Sequence, residues 1–428
     1  MLIYNLLNDE KQQSFEFSSL RCIFDEKTMV KREIYLNKLR QLKDQNLIKV
    51  ITGIRRSGKS TLLEMFKNEL ILKGVSPKNI ILLNFEEREN LSFTNWTELY
   101  DEIIKTVNTD NKYYIFLDEV QLINDFEKLI NSLYTKKNID LYITGSNAYL
   151  LSSELATLLT GRYIAINIQP YSFKEYVLAN EEEKNTDRLF RKYLNESAFP
   201  EAVTLSKQNN DLVNDYLQSI YDTVIIKDIA QRYKLRNIHN LHRVISFLFN
   251  SIGSYVSPTN IAKELNKNSQ KQISHNTIIK YLDFLTQSYI LYIAPRYDIR
   301  GKELLTTNEK YYLVDLGLRN ITASNKYDTD LGHKLENIVY FELFRRGGKV
   351  YVGKHNDKEI DFVVQKSNNE REYYQVAFTV NDEKTFKREI SAFEKINDNY
   401  PKYLLTLDYD NANIGGIQKL NVIDWLLQ

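Results

Sequence analysis

One stretch of this chain carries residue types at a spacing suited to phosphate chemistry: Gly53-Ile54-Arg55-Arg56-Ser57-Gly58-Lys59-Ser60. Two glycines separated by four residues let backbone N–H groups turn inward toward phosphate oxygens. A lysine at the next position brings a mobile point charge to the β- and γ-phosphates, and the serine hydroxyl after it can ligate magnesium. The helix expected to follow would point its positive end at the same anion. On this reading Gly53, Arg56, Ser57, Gly58, Lys59, Ser60 and Thr61 bind ATP, while Arg55 and Arg56 could contact the nucleotide, a docked domain or only solvent.

A magnesium nucleotide needs a carboxylate as well. Tyr113-Tyr114-Ile115-Phe116-Leu117 is an apolar run that ends in Asp118-Glu119, so these acids are expected where a central strand leaves its sheet, the edge at which such folds bind ligands. Asp118 would hold Mg2+, directly or through water, and Glu119 would serve as general base for the attacking water. The second acid moves the expectation from nucleotide binding to ATP hydrolysis. Another apolar run, Leu141-Tyr142-Ile143-Thr144, ends in Gly145-Ser146-Asn147. Ser146 or Asn147 could sense the terminal phosphate, although a Gly-Ser-Asn turn is also ordinary loop chemistry. Arg162 fits the arginine that stabilises a transferring phosphate and equally a structural salt bridge.

The elements that must position these groups show in the hydrophobic pattern. Ile34, Leu36, Leu39 and Leu42 recur at helical spacing, and strand-like runs follow at 47–52, 80–85, 113–117, 141–144 and 163–168 with helical stretches between most of them. Strands alternating with helices imply a parallel sheet covered on both faces. After Pro170 the pattern becomes helical to about 250, then short helices and a hairpin to about 320, then strands near 349–352, 360–364, 373–378 and 403–407. The expected divisions are an N-terminal extension (1–29), a nucleotide domain (30–170), a helical lid or linker (171–250), a winged-helix-like segment (251–325) and a final α/β segment (326–428).

Composition narrows the class. Lys and Arg total 57 against 56 for Asp and Glu, so net charge gives no argument for a nucleic-acid partner. Cys22 is the one cysteine, which excludes a disulfide framework and a cysteine-clustered zinc site. No basic leader precedes an apolar stretch and no window reaches membrane-span length, so the cytoplasm is the expected compartment and no membrane partner is expected.

The string Ile51 to Leu63, Leu117-Asp118-Glu119-Val120-Gln121, Ile143-Thr144-Gly145-Ser146-Asn147, Leu159-Thr160-Gly161-Arg162-Tyr163 and Pro170 to Glu175 resemble AAA-domain ATP-binding proteins of the archaeal-ATPase-like group. The resemblance implies a P-loop NTPase fold and gives Ser146 or Asn147 the sensor role found at this strand end in AAA-type ATPases. It also implies a C-terminal companion domain of unknown function, with landmarks at Ala230 to Arg236, Tyr311 to Gly317, Gly332 to Glu336 and Glu359 to Val363.

Two modules are expected in the C-terminal half. Asn260 to Leu265 and Ile273 to Gln287 read as a helix-turn-helix, with Ser274 to Thr277 capping the second helix and a wing hairpin following. Its first turn would present Ser274, Asn276, Thr277 and Lys280 to double-stranded DNA, although winged helices also serve as protein contacts. Residues 255–310 carry eight basic and five acidic side chains. The last segment resembles the restriction-endonuclease-like fold, with Glu336 and Asp361 at positions of a metal site. Gln375 and Ala377 stand where a second acid and a lysine belong, so a nuclease-like scaffold without cleavage is expected. The chain thus reads as an ATP- and Mg2+-dependent hydrolase driving a winged-helix and nuclease-like half on DNA. A protein-binding switch, a homo-oligomer and an ATP-dependent nuclease are the alternatives.

Overall fold

The computed structural model describes residues 29–87, 95–148, 159, 161–235, 237–267, 272–322, 330–356, 358–394 and 396–428, and the structural statements below concern these. Most of the expected N-terminal extension, Cys22 included, lies outside them. The chain divides into two compact units, 1–168 and 169–428.

In the first unit, strands β1 (Ile48–Thr52), β2 (Ile80–Asn84), β3 (Tyr113–Asp118), β4 (Ile139–Gly145) and β5 (Tyr163–Asn167) form one sheet in the order β2-β3-β4-β1-β5. Its pairings are parallel. Helices α1 (Glu33–Leu42), α2 (Lys59–Leu72), α3 (Trp96–Thr106) and α4 (Phe126–Tyr134) cover it. Every residue of β1, β3 and β4 is buried, which is why these strands are continuous apolar runs rather than alternating ones. Successive side chains still go to opposite faces. Ile48, Val50, Leu117 and Ile143 pack against α3 and α4 through Leu99, Ile103, Leu129 and Leu133. Ile51, Phe116 and Tyr142 pack against α1 and α2 through Leu39, Leu62 and Phe66. Register matters most for function. Thr52 lies opposite Gly145, and Asn84 opposite Asp118, so β1, β3 and β4 all end at one edge.

At the opposite edge a charged pair is built into the sheet. Lys49 on β1 is fully buried and pairs with Asp140 on β4, itself 2% exposed. Tyr142 Oη and the Asp44 backbone N–H donate to Asp140 Oδ2 at 2.9 and 2.8 Å, and Lys49 Nζ donates to Gln45 O at 2.9 Å. Burial holds the Lys49 ammonium below its ordinary pKa despite the opposing pull of Asp140.

The second unit begins with α5 (Phe173–Ala179), α6 (Thr186–Tyr193), α7 (Pro200–Ser206) and α8 (Asn210–Thr223), the last continuing into a π-helix at Val224–Gln231. The run Pro170 to Glu175 is the start of α5: Ser172 Oγ accepts from Glu175 N at 3.2 Å and Glu175 Oε2 accepts from Ser172 N at 2.8 Å, a capping box. After α9 (Ile238–Asn250) come β6 (Tyr255–Val256), α10 (Pro258–Asn266), α11 (His275–Gln287), β7 (Leu291–Asp298), β8 (Glu303–Leu313), α12 (Leu316–Thr322) and α13 (Leu331–Arg345). The chain ends with β9 (Lys349–His355), β10 (Lys358–Gln365), β11 (Arg371–Val376), α14 (Glu383–Ser391), β12 (Lys402–Thr406), β13 (Ala412–Ile414), β14 (Ile417–Asn421) and α15 (Val422–Leu427).

Nine strands form a single sheet, ordered β13-β14-β12-β11-β10-β9-β7-β8-β6. It draws on both the 251–325 and the 326–428 segments, because β7 pairs in parallel with β9 at Arg296↔Val352 and Tyr297↔Gly353. Asp315, in the landmark Tyr311 to Gly317, is structural here: its carboxylate accepts from Ala198 N at 2.7 Å, Ser197 Oγ at 3.2 Å and Leu318 N at 3.2 Å. Burial pushes it up to about 6, against those hydrogen bonds. Gly317 sits so close that a Cβ would lie 2.7 Å from Ser197 N. No helix among the described residues is long and apolar enough to cross a membrane.

Removing one partner of a buried pair strands the other charge. Asp140→Ala should therefore cost about 3–5 kcal/mol in denaturant unfolding, and Lys49→Met with Asp140→Leu should cost less than that single change.

Candidate functional site

The phosphate loop leaves β1 at Gly53, whose φ is +144°. A Cβ there would stand 2.1 Å from Ile168 O, so the close approach of the chain after β5 admits only glycine. Arg56 and Gly58 also take positive φ, +65° and +96°, and Gly58 starts α2 from a left-handed conformation. These turns leave Ser60 and Thr61 exposed at the helix N-terminus. Ser57 is turned inward: its Oγ is buried without a hydrogen-bond partner, and its carbonyl accepts from Arg32 Nη1 at 3.0 Å. Arg32 is 3% exposed and its guanidinium lies 4.9 Å from the centre of the Tyr35 ring.

Lys59 is the first residue of α2 and is 4% exposed. Its Nζ donates to Gly53 O and Ile54 O at 3.1 and 3.3 Å and lies 3.5 Å from Glu119 Oε1. Neighbouring strands lie roughly 4.8 Å apart, and β4 separates β1 from β3, so the two motifs are joined by side chains. Ser60 hydrogen-bonds Asp118. Thr144, on the intervening β4, donates to Asp118 Oδ1 and accepts from Glu119 N at 2.9 Å. Glu119 is held in a left-handed conformation, φ +53°, and takes hydrogen bonds from Gln121 and Ser146. Ser146 and Asn147 are both buried, one and two residues beyond the end of β4.

The two acids are tuned apart. Burial raises the Asp118 carboxyl above its ordinary value, with Glu119 adding to the rise and Ser60, Thr144 and Lys59 opposing it. Burial acts on Glu119 in the same sense, but Lys59, Gln121, Arg55 and Ser146 outweigh it and hold that carboxyl below its ordinary value. Glu119 is thus an anion at neutral pH. Ser60 and Asp118, already bonded to one another at the open end of α2, offer an oxygen pair of the kind Mg2+ takes.

The structure does not bring Arg162 to this edge. It precedes β5, and Ile48 pairs with Tyr163, so it lies at the starting end of the strands. Five residues at roughly 3.3 Å each put it about 17 Å from the loop of its own chain. There Arg162 Nη1 donates to Asn131 Oδ1 at 2.9 Å and stacks over Tyr134 at 5.6 Å, the structural alternative. Arg32 has no local signal in the sequence, because nothing nearby ties a residue before α1 to a loop carbonyl 25 positions on.

In the second unit, Ser274 and Thr277 are spent on the cap of α11, with Ser274 Oγ accepting from Thr277 N at 3.1 Å and lying 2.9 Å from Thr277 Oγ1. Asn276 and Lys280 are exposed. Glu336 and Asp361 do come together, but around an ammonium. Lys310 Nζ on β8 lies 2.9 Å from Glu336 Oε1 and 2.5 Å from Glu359 Oε1, and Tyr312 Oη donates to Glu336 Oε1 at 2.6 Å. Burial, then Glu336, raise the Asp361 carboxyl well above its ordinary value, with Lys310 opposing. Gln375 accepts from Asp361 N at 3.3 Å and donates to Glu389 at 2.8 Å. Among the described residues no group of three or more His, Cys, Asp or Glu is disposed to hold a metal ion, and Glu336 and Asp361 sit in a carboxylate–ammonium network with Lys310.

Fold and loop together define a P-loop ATPase domain of the AAA kind. The AAA domain family profile matches residues 45–177, and that of a domain of unknown function (DUF8612) matches 187–329. An uncharacterised protein of Haemophilus influenzae is 41% identical over 408 residues, covering 94% of this chain and 100% of that one. One of Methanocaldococcus jannaschii is 29% identical over 395 residues, covering 89% and 85%. Among solved structures, a Walker-type ATPase of Pyrococcus abyssi aligns with a TM-score of 0.49 at 13% identity, over 69% of this chain and 97% of that one. The chain belongs to the same family as the Haemophilus influenzae protein, and it carries an AAA domain at 45–177 followed by a domain of unknown function at 187–329.

Gly53→Ala should weaken ATP binding about 5- to 30-fold, since an alanine at positive φ alone costs roughly 1–2 kcal/mol. Titration with a fluorescent ATP analogue measures it.

Proposed function

We propose that this protein hydrolyses ATP with Mg2+ in the first unit and uses the cycle to act on double-stranded DNA through the second. The observation that carries the hydrolase reading is the buried Lys59 ammonium 3.5 Å from Glu119 Oε1, beside the Ser60–Asp118 pair. Lys59, with the inward N–H groups of Gly53 to Ser60, receives the phosphates. Bound Mg2+ would supply charge neutralisation at the β- and γ-oxygens, and Ser60 and Asp118 are the residues to hold it. Glu119, kept ionised, orients and deprotonates the attacking water. Ser146 and Asn147 at the end of β4 register the terminal phosphate, with Ser146 acting on Glu119 directly. Lys59→Ala should lose nucleotide binding, and Glu119→Gln should bind ATP yet turn it over at least about 100-fold more slowly. Normal turnover in both would refute the assignment.

The DNA reading rests on the second unit. α10 and α11 followed by the β7–β8 hairpin have the succession of a winged helix, and Asn276 and Lys280 stand exposed on the first turns of α11. The last segment is then a nuclease-like scaffold that does not cut, since Lys310 is paired with Glu336 and Gln375 and Ala377 stand where a second acid and a lysine belong. Electrophoretic shifts should show duplex binding that weakens steeply with salt, with the DNA left intact in Mg2+. No shift at low salt would favour a protein-binding switch, and cutting lost in Asp361→Ala would favour a nuclease. The compartment that fits this reading is the cytoplasm.

A further inference from the structure

Phosphoryl transfer gains from a cation placed where charge grows on the terminal phosphate. Arg162 lies at the wrong edge of the sheet to be that cation for its own site. Arg55 lies within the phosphate loop, flanked by the turns at Gly53 and Arg56–Gly58. Its Nη1 meets Glu86 Oε1 at 3.0 Å. Glu86 follows the end of β2 by two residues, and Asn84 at that end pairs with Asp118, so Glu86 lies beyond the same edge as the two acids. The guanidinium therefore stands on the phosphate loop, beyond the edge at which β3 ends in Asp118.

We propose that Arg55 is the arginine that contacts the terminal phosphate of ATP, supplied by the same chain as the site, and that Glu86 holds it aside until nucleotide enters. This rests on the hydrolase reading above. The restraining pair suits exchange. Its glutamate side chain is 53% exposed, and pairs so exposed are worth about 0–1 kcal/mol, whereas a guanidinium meets phosphate with two parallel, charge-assisted hydrogen bonds. A cation carried by the loop itself completes the site within one protomer.

The test uses the full-length protein with ATP, ADP, ATPγS and Mg2+. Arg55→Ala is expected to lower kcat by about 1,000-fold or more while ADP affinity stays within a few-fold of wild type. Arg55→Lys, which keeps the charge and loses the fork, should fall between. Mixing Arg55→Ala with Lys59→Ala protein should restore no activity. Recovery on mixing would show that the arginine comes from a neighbouring copy, and would overturn the proposal. So would a normal kcat, or a loss of ADP affinity as large as the loss of kcat, which marks a merely structural arginine. If the wild-type protein binds ATPγS without turning over ATP, the hydrolase reading fails by itself. The ratio of ATPγS to ADP affinity then decides: a clear drop in Arg55→Ala upholds the contact, and an unchanged ratio overturns it.

Discussion

The ammonium of Lys59 is almost fully withdrawn from water, and an uncompensated buried charge is among the costliest things a fold can hold. It is balanced by two loop carbonyls and by Glu119. Each partner depends on something further away. The carbonyls of Gly53 and Ile54 face inward because Gly53 can take a φ of +144° against Ile168. Glu119 reaches the lysine because β3 ends level with β1 and its own backbone is left-handed there. The phosphate loop and the acid pair are thus two halves of one electrostatic arrangement, with β4 between them.

That intervening strand explains why Thr144 matters. Its one hydroxyl donates to Asp118 and accepts from the N–H of Glu119, so the two acids are fixed relative to each other. Arg32 plays the matching part on the loop side by taking the Ser57 carbonyl. Preorganisation of this kind leaves little reorganisation to be met when phosphate arrives.

The second unit is held by contacts that join distant segments. Asp315 gathers N–H groups from the 197–198 turn and from α12, and Lys310 of the hairpin meets Glu336 of α13 and Glu359 of β10. The parallel pairing of β7 with β9 makes the hairpin part of the larger sheet, so the hairpin and the strands after α13 share one set of backbone hydrogen bonds. A lysine does reach Glu336 and Glu359, but it arrives from β8 rather than from β11, which carries Gln375.

The sequence by itself determined the phosphate loop, the acid pair and the alternating strands and helices that present them. These depend on local spacing: glycine positions, runs of buried strand residues and the residue that ends each run. The capping box at Ser172 to Glu175 is equally local, but it is the folded start of α5 that shows it. What only the tertiary structure decided was every choice that depends on strand order and register. Arg162 reads equally well as a phosphate contact or a structural residue until the pairing of Ile48 with Tyr163 puts it at the far edge. Arg32, Arg55 and Lys310 find their partners 25, 31 and 26 residues away along the chain. Separations of that kind leave no periodic trace in the sequence, since the distances are set by the packing of the sheets and not by the chain between.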